Sequence, residues 1–417
     1  MKRSLVVFLV FLFLLTLVRL SLFYVFPLQL HDNQDIAFTS LLLEDPVVSG
    51  STQLLQMRYG TFWQSTKVQI VAPLDRAFSY GQTLTVTGKV EHKLLKNNRL
   101  ITTIQNAQIE AKNSGFLPVF GLLRQKIINF CENNFSQPQS GLLLGIVFGM
   151  KNYLTNQITT SFRITGLSHL VAASGMNVTM VAGFLFGIFG SMLKRQMAVA
   201  VSLLGIFAYV CLSGFDASIV RAALMGSVAF TASLLGRQYS SLYVLILVGL
   251  GMLLWSPVLL TDVGFQLSIL ATAGILVLNP LRQGFVGQNP SLLHSIFLSD
   301  DLGTTFSAQL ATVPILLGTF GQFSLLSIFA NVLVLWTIPL IMMFGGVGIL
   351  IGLIFEPLGR LVVWCIYPLL WYLQQVTGFF STHSVSVQLD SLPLLFFVGY
   401  YCLLAGIVLL FIKKKSS

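Results

Sequence analysis

The sequence predicts a mostly α-helical polytopic membrane protein, with about ten transmembrane helices, one re-entrant or interfacial helix and an inserted small β-barrel domain. Three observations carry this. Hydrophobic residues fill 55% of the 417 positions and charged residues 9%, with a mean hydropathy of +0.83, outside the range of soluble globular chains. After about residue 139 the apolar residues form continuous runs of ~17 to 25, the length that crosses roughly 30 Å of hydrocarbon at 1.5 Å per residue. Residues 31–115, in contrast, are polar and alternate at strand period.

The first element is MKRSLVVFLVFLFLLTLVRLSLFYVF, where Lys2 and Arg3 precede an apolar stretch too long for a signal-peptide core, with no small-x-small cleavage site after it. Residues 1–30 read as a retained anchor helix with a cytoplasmic N-terminus, which puts residues 31–115 on the outer side. That segment contains AFTSLLL, STQLLQMRY, TKVQIVAP, QTLTVTGKVEHK and RLITTIQNAQIEA, punctuated by Gly60, Gly81, Gly88 and Asn97-Asn98. Short alternating strands separated by turn residues suit an OB-like barrel. Residues 116–137, FLPVFGLLRQKIINFCENNF and its flanks, form an amphipathic helix too charged to span and suited to an interface. The run GLLLGIVFGM at 141–150 is too short to cross and reads as re-entrant or interfacial.

Spans are expected near 167–191, 197–213, 218–235, 241–255, 263–280, 303–320, 324–353, 358–380 and 392–412, so that residues 138–412 form one transmembrane domain and 413–417 a basic cytoplasmic tail. The loop cations Lys194, Arg195, Arg237, Arg282, Arg360 and Lys413 to Lys415 all fall inside if 324–353 crosses once. A single long or broken helix there, interrupted at Pro339 or the GGVG of 345–348, satisfies that count. The net charge of +10, from 24 Lys and Arg against 14 Asp and Glu, is spread singly through short loops and reports topology first. The four cysteines show neither a disulfide framework nor a metal spacing.

Candidate functional residues begin in TGLSHLVAASGMNVTMVAGFLFGIFGS. Gly175, Thr179, Gly183, Gly187 and Ser191 recur every four residues, a stripe that lets another helix approach closely. His169, Ala173 and Asn177 share a face of a continuous helix, where they serve either a buried polar network or a hydrated path. Ser174 before Gly175, with His169 nearby, raises the alternative of an integral-membrane hydrolase. Five residues of continuous helix turn by about 500°, so the two side chains would diverge unless the helix breaks. Arg221 in DASIVRAALMGS and Asp262 in DVGFQLSILATAG lie at matching depth, and an ion pair between them would relieve the cost of a buried charge. Gln266, Gln309 and Asn331 add hydrogen-bonding groups from three further stretches, as a polar conduit requires.

The order FRITGLSHLVAASGMNV, SIVRAALMG with LLGR, SPVLLTDVGFQLSILATAGIL and SAQLATVPILLGTFGQFSLLSIFANVLV closely resembles the competence domain of the ComEC family, over about residues 138–380. Residues 31–115 resemble that family's outward-facing OB-like module. The resemblance implies a multi-pass inner-membrane channel that passes single-stranded DNA into the cytoplasm during natural transformation, without enzymatic activity or cofactor. Arg163, Gly166, His169, Ser174, Gly175, Arg221, Asp262, Gln266, Gln309 and Asn331 match its motifs. Where the family's commonest wording has an apolar residue and histidine after the serine-glycine, this chain has Met176-Asn177.

Many family members continue into a metallo-β-lactamase-like domain, whereas this sequence ends LLFIKKKSS, so a separate nuclease is expected. No HxHxDH cluster and no Walker A motif occur, so no metal is expected and the driving force is assigned to a cytoplasmic helicase or strand-binding protein. Further copies of the chain, as a homo-oligomer, complete the expected partners beside the lipid bilayer. Residues 31–115 hold eight Lys and Arg against seven Asp and Glu. Contact with phosphate there would need local clusters, for which Lys89, Lys93, Lys96 and Arg99 stand on one hairpin and Arg58 adjoins the stacking surfaces of Tyr59, Phe62 and Trp63. A solvated hairpin around a barrel core explains the same residues. The remaining alternative function is a small-solute transporter, which the lack of an inverted repeat disfavours.

Overall fold

The computed structural model describes residues 2–28, 30–61, 64–75, 78–94, 100–112, 115–171, 174–285, 300–320, 322–324, 327–383, 386–388 and 394–416. Trp63, Lys96 and Arg99 lie outside the described residues, as do the side chains of Lys93 and His169.

Helix α1 spans Lys2–Val25 and is strongly apolar, as a membrane-embedded segment needs, with Thr16 and Arg19 buried on one face. The β-domain follows with β1 Asp35–Leu41, β2 Val47–Ser49, β3 Thr52–Gly60, β4 Ser65–Pro73, β5 Thr83–Leu94 and β6 Leu100–Lys112. Their order in the sheet is β1-β5-β6-β4-β3-β2. Neighbours are antiparallel except β4 and β6, which pair in parallel through Gln69 with Thr103 and Ile70 with Ile104. Alternate residues of these strands, among them Leu55, Met57, Val68, Ile70, Leu84, Val86 and Ile104, point into one core. The period-two pattern therefore places the apolar faces of β1, β3, β4, β5 and β6 inward, while Val47 and Val48 of the short β2 are exposed.

Helix α2, Leu117–Asn134, buries Leu117, Gly121, Arg124, Ile127, Ile128, Cys131 and Asn134, a stripe at helical spacing. A methyl group at Gly121 would collide with the Tyr80 carbonyl oxygen, so the helix and the β-domain touch backbone to backbone. Helix α3, Gln139–Phe148, has all ten residues buried and is enclosed by other helices. The chain continues with α4 Asn156–Ile164, α5 Ser168–Val171, α6 Gly175–Met192, α7 Arg195–Ser213, α8 Ala217–Leu234, α9 Ser241–Trp255 and α10 Val263–Phe285. It closes with α11 Asp300–Phe320, β7 Gln322–Ser324, α12 Ser327–Leu335, α13 Thr337–Gly352, α14 Glu356–Trp364, α15 Tyr367–His383, β8 Ser386–Gln388 and α16 Leu394–Ser416.

Three expected spans are interrupted. The run expected at 167–191 is interrupted at the extended Ser174, so α5 and α6 are separate helices. The run at 324–353 breaks at Trp336, not at Pro339 or the GGVG stretch. Pro339 falls in the first turn of α13, where its missing N–H is harmless. Gly345 and Gly348 lie inside α13 and admit Leu143 and Val363 at close range. The run at 358–380 divides into α14 and α15, and α14 folds back on α13, where Gly359 and Gly352 meet backbone to backbone. Among the described residues, five helices are long and apolar enough to cross a membrane: Val6–Val25, Gly175–Met192, Arg195–Ser213, Ala217–Leu234 and Phe329–Gly352. Shorter apolar helices lie at Gln139–Phe148, Ser241–Trp255, Val263–Leu278, Phe306–Thr319 and Leu395–Leu410.

A buried cation joins the β-domain to the helices. Arg124 stacks its guanidinium 4.4 Å from the centre of the Tyr80 ring. It donates to the Asp45 carboxylate and to the Leu212 carbonyl at the C-terminal end of α7. Tyr80 donates its hydroxyl to the Cys211 carbonyl at 2.7 Å, and burial drives that phenol's pKa well upward. Removing one partner of a buried pair leaves the other charge uncompensated. Arg124→Gln should therefore destabilise the protein by about 3–5 kcal/mol, read as a lowered melting temperature in detergent. Adding Asp45→Asn should restore part of that loss.

Candidate functional site

The candidate site starts from a chain break. Thr155 caps α4 by accepting from the Ile158 N–H at 3.4 Å. The helix ends at Thr165, and Gly166 follows at φ +71°, a left-handed conformation that glycine adopts without strain. After the single turn of α5, Ser174 is extended at φ −115° and ψ 169° and precedes the first residue of α6. His169 and Ser174 thus belong to different helices, and the angular separation expected of one continuous helix does not apply to them.

Ser174 donates its hydroxyl to the Asn177 side-chain oxygen at 3.1 Å, and Asn177 donates its amide to the Ile146 carbonyl at 2.9 Å. Tyr209 donates to the neighbouring Val147 carbonyl at 2.8 Å. Ile146 and Val147 lie in the last turn of α3, whose carbonyls have no intrahelical partner. Asn177 and Tyr209 therefore cap a fully buried helix end, and Asn177 is a structural member of the polar network.

Beside this network lies a cavity of about 1120 Å³ between α6, α8, α10 and α11, bounded also by α4 and α12. Arg163, Gly166, Ser174, Gly175, Gly183, Arg221, Gln309 and Asn331 all line it, so residues far apart in the sequence converge on one space. Asn177, Asp262, Gln266 and Gly187 are not among its lining residues. Gln266 instead donates to the Leu260 carbonyl at 2.6 Å. The glycine stripe has a divided role. A methyl group at Gly175 would stand 3.2 Å from Arg221 Nη2 and 3.3 Å from Ala222 Cβ, so helix contact requires glycine there. At Gly183 and Gly187 a methyl group would meet nothing within 4 Å, so the expected close packing is absent at both.

The expected ion pair between Arg221 and Asp262 is also absent. Arg221 is 6% exposed and donates from Nε to Ser268 Oγ at 2.8 Å, with Nη1 3.0 Å from Met225 Sδ. Asp262 accepts the Phe265 N–H at 2.9 Å, capping α10, and faces Lys67 at 4.0 Å. Helix capping and a cation on the β-domain outcompete an arginine one helix away. Asn331 is 3% exposed, and its side-chain oxygen has no hydrogen-bond partner among the described residues. The cations Lys151, Arg163 and Arg221 line the cavity, and no carboxylate does among the described residues. Such a space favours anionic or hydrogen-bonding cargo over cations.

On the β-domain, Tyr59 packs edge-on against Phe38 with ring centres 5.2 Å apart, so its ring serves the domain core and not an open stacking surface. Arg58 is exposed and donates to Ser256 Oγ at 3.3 Å, and Lys89 is exposed on β5. Sequence reasoning did not single out Lys67, Lys151, Asp216 or Tyr209. Asp216 had a usable signal, since an aspartate directly before an apolar-periodic run marks a helix start.

Comparison with known proteins places residues 146–414 within the family described as Competence protein. ComE operon protein 3 of Bacillus subtilis (strain 168) is 27% identical over 323 residues, covering 76% of this chain and 40% of that protein. The chain thus spans about 40% of the length of the curated relative it matches. No solved structure matches it.

The two side chains at the break differ in what they hold. Asn177→Leu leaves the Ile146 carbonyl unpaired in the interior and should destabilise by about 1–3 kcal/mol. Ser174→Ala removes one hydrogen bond and should lose about 0.5–1.5 kcal/mol. Melting temperatures of the detergent-solubilised variants compare the two directly.

Proposed function

The chain belongs to the competence protein family, and from that membership we propose that it is the membrane channel through which one DNA strand reaches the cytoplasm during transformation. The observation that carries the reading is the cavity of about 1120 Å³ whose described lining contains three cations and no carboxylate. A DNA strand carries one negative charge per nucleotide, so a carboxylate in the lining would repel it while isolated cations attract it. Neutral groups such as Gln309, Asn331 and Thr312 alternate with those cations and offer hydrogen bonds without holding phosphate tightly. A conduit needs both properties, since cargo must leave as readily as it arrives.

In this reading the β-domain is an OB-like module facing the outer side, supported by the parallel β4–β6 pair between antiparallel neighbours and by the single apolar core. In the same reading the chain crosses the inner membrane about ten times with both termini cytoplasmic, for which five helices have the full length and apolar character. Strand pulling is assigned to a cytoplasmic helicase or strand-binding protein, and removal of the other strand to a separate nuclease. The channel itself performs no catalysis. The relative's printed name, ComE operon protein 3, agrees with a role in competence.

Gly183 provides the test, because it lines the cavity yet touches nothing a larger side chain would displace. Gly183→Leu should exclude most labelled DNA from the cytoplasm of transformable cells without lowering the amount of protein in the membrane. Gly187→Leu, one turn along the same stripe but outside the cavity lining, should leave uptake near wild type. Normal uptake in Gly183→Leu cells counts against a conducting cavity.

A further inference from the structure

Two charged pairs stand at or next to the cavity lining, and one of them is shared with the β-domain. Lys151 lines the cavity and pairs with Asp216 at 3.1 Å. Asp216 is the capping residue of α8, but its side chain makes no capping hydrogen bond. Across the rim, Asp262 immediately precedes the lining residues Val263 and Gly264 and faces Lys67 at 4.0 Å. Lys67 and Arg58 are directly opposed across the β3–β4 hairpin, and Arg58 reaches Ser256 Oγ at 3.3 Å. Lys67 and the Lys151–Asp216 pair share a neighbour in Glu44, and Asn152, next to Lys151, donates at 3.0 Å to the carbonyl of Asp45, next to Glu44. Desolvation raises the Glu44 pKa first of all, Lys67, Lys151 and Arg58 lower it, and Asp216 raises it.

We infer that Lys67, Lys151 and Arg58 form a phosphate-binding mouth that receives the backbone of single-stranded nucleic acid, with Asp262 and Asp216 occupying the lysines until phosphates displace them. The inference rests on the conduit reading above and adds the place where the strand is first held. Its physical basis is exchange. The side chains of Lys67, Lys151, Asp216 and Asp262 are 52%, 49%, 42% and 31% exposed, and exposed pairs contribute little stability. Trading a carboxylate for a phosphate therefore costs almost nothing, and releases the counterions condensed on the strand. The carboxylates also sit at the starts of α8 and α10, the helices that flank the opening. Without a strand they keep these positive helix ends and lysines satisfied. With a strand present they discourage a long residence.

The experiment uses the full chain in lipid nanodiscs and a fluorescently labelled oligothymidylate, with binding followed by anisotropy across a salt series. Lys67→Gln with Lys151→Gln should weaken binding and make the slope of log K against log salt shallower by about 0.7 per lysine removed. Lys67→Arg with Lys151→Arg should retain binding. Asp216→Asn with Asp262→Asn should bind more tightly than wild type, whereas two merely structural ion pairs predict no gain. Asparagine still caps helices, so the latter variant keeps its fold. Wild-type affinity and slope in the glutamine variant, or no tightening in the asparagine variant, overturns the mouth while leaving the conduit intact. Failure of the wild-type protein to bind the oligothymidylate at all overturns both.

Discussion

The burial of Arg124 is the interaction on which the arrangement of the two parts depends. One guanidinium faces a carboxylate from the β-domain, an aromatic ring from the same domain and the carbonyl end of α7. Each partner answers a different requirement. Asp45 neutralises the charge, Tyr80 covers it, and the α7 carbonyl gains a cation at the negative end of its helix dipole. The β-domain cannot rotate away without exposing an unpaired charge in an apolar setting. Its paired strands β3 and β4 are consequently held beside the end of α9 and the start of α10, where Arg58 and Lys67 meet Ser256 and Asp262.

Within the helices the same logic is applied with the opposite outcome. Arg221 is buried but receives only a hydroxyl and a thioether, with no carboxylate among its described partners. A cation so placed in lipid would be severely penalised. Arg221 lies on the wall of a large cavity, a place where a cation escapes direct burial in lipid. Asp262, which could have neutralised it, is occupied with capping α10 and with Lys67. The lining keeps its positive character because the nearby carboxylates are engaged at the rim.

Much of this was legible in the sequence. Apolar runs of membrane length and strand-period alternation located the helices and the β-domain, because hydrocarbon thickness and sheet pleating impose those periods directly. Arg163, Ser174, Arg221, Gln309 and Asn331 were recognisable as polar residues in apolar surroundings, and the fold gathers all five on one cavity. The exact positions of the breaks at Ser174, Trp336 and Cys365 were not legible, since the nearby Gly175, Pro339 and Pro368 lie one to three residues further on, inside the first turn of the helix that follows. They are set by neighbouring helices, as where α14 doubles back so that Gly359 meets Gly352. Pairing was equally hidden. Depth along a span placed Arg221 level with Asp262, but depth says nothing about which helix face a side chain occupies. Lys67, on a strand that reads as ordinary barrel surface, became its partner because Arg124 fixes the domain above it.

The charged pairs of this protein fall into two classes that burial separates. Arg124 and Asp45 are almost completely enclosed, with side chains 5% and 10% exposed, so water cannot replace either partner and the pair acts as a fixed joint. Lys67 with Asp262 and Lys151 with Asp216 remain open to solvent, and any competing anion reaches their lysines without breaking the fold. Both classes occur within the same junction between sheet and helices. A joint made only of exposed pairs would loosen whenever a polyanion arrived, and a mouth made only of buried pairs could not exchange partners at all. Placing the permanent charge contact under Tyr80 and the replaceable ones at the rim lets the domain stay docked while its outer lysines change partners.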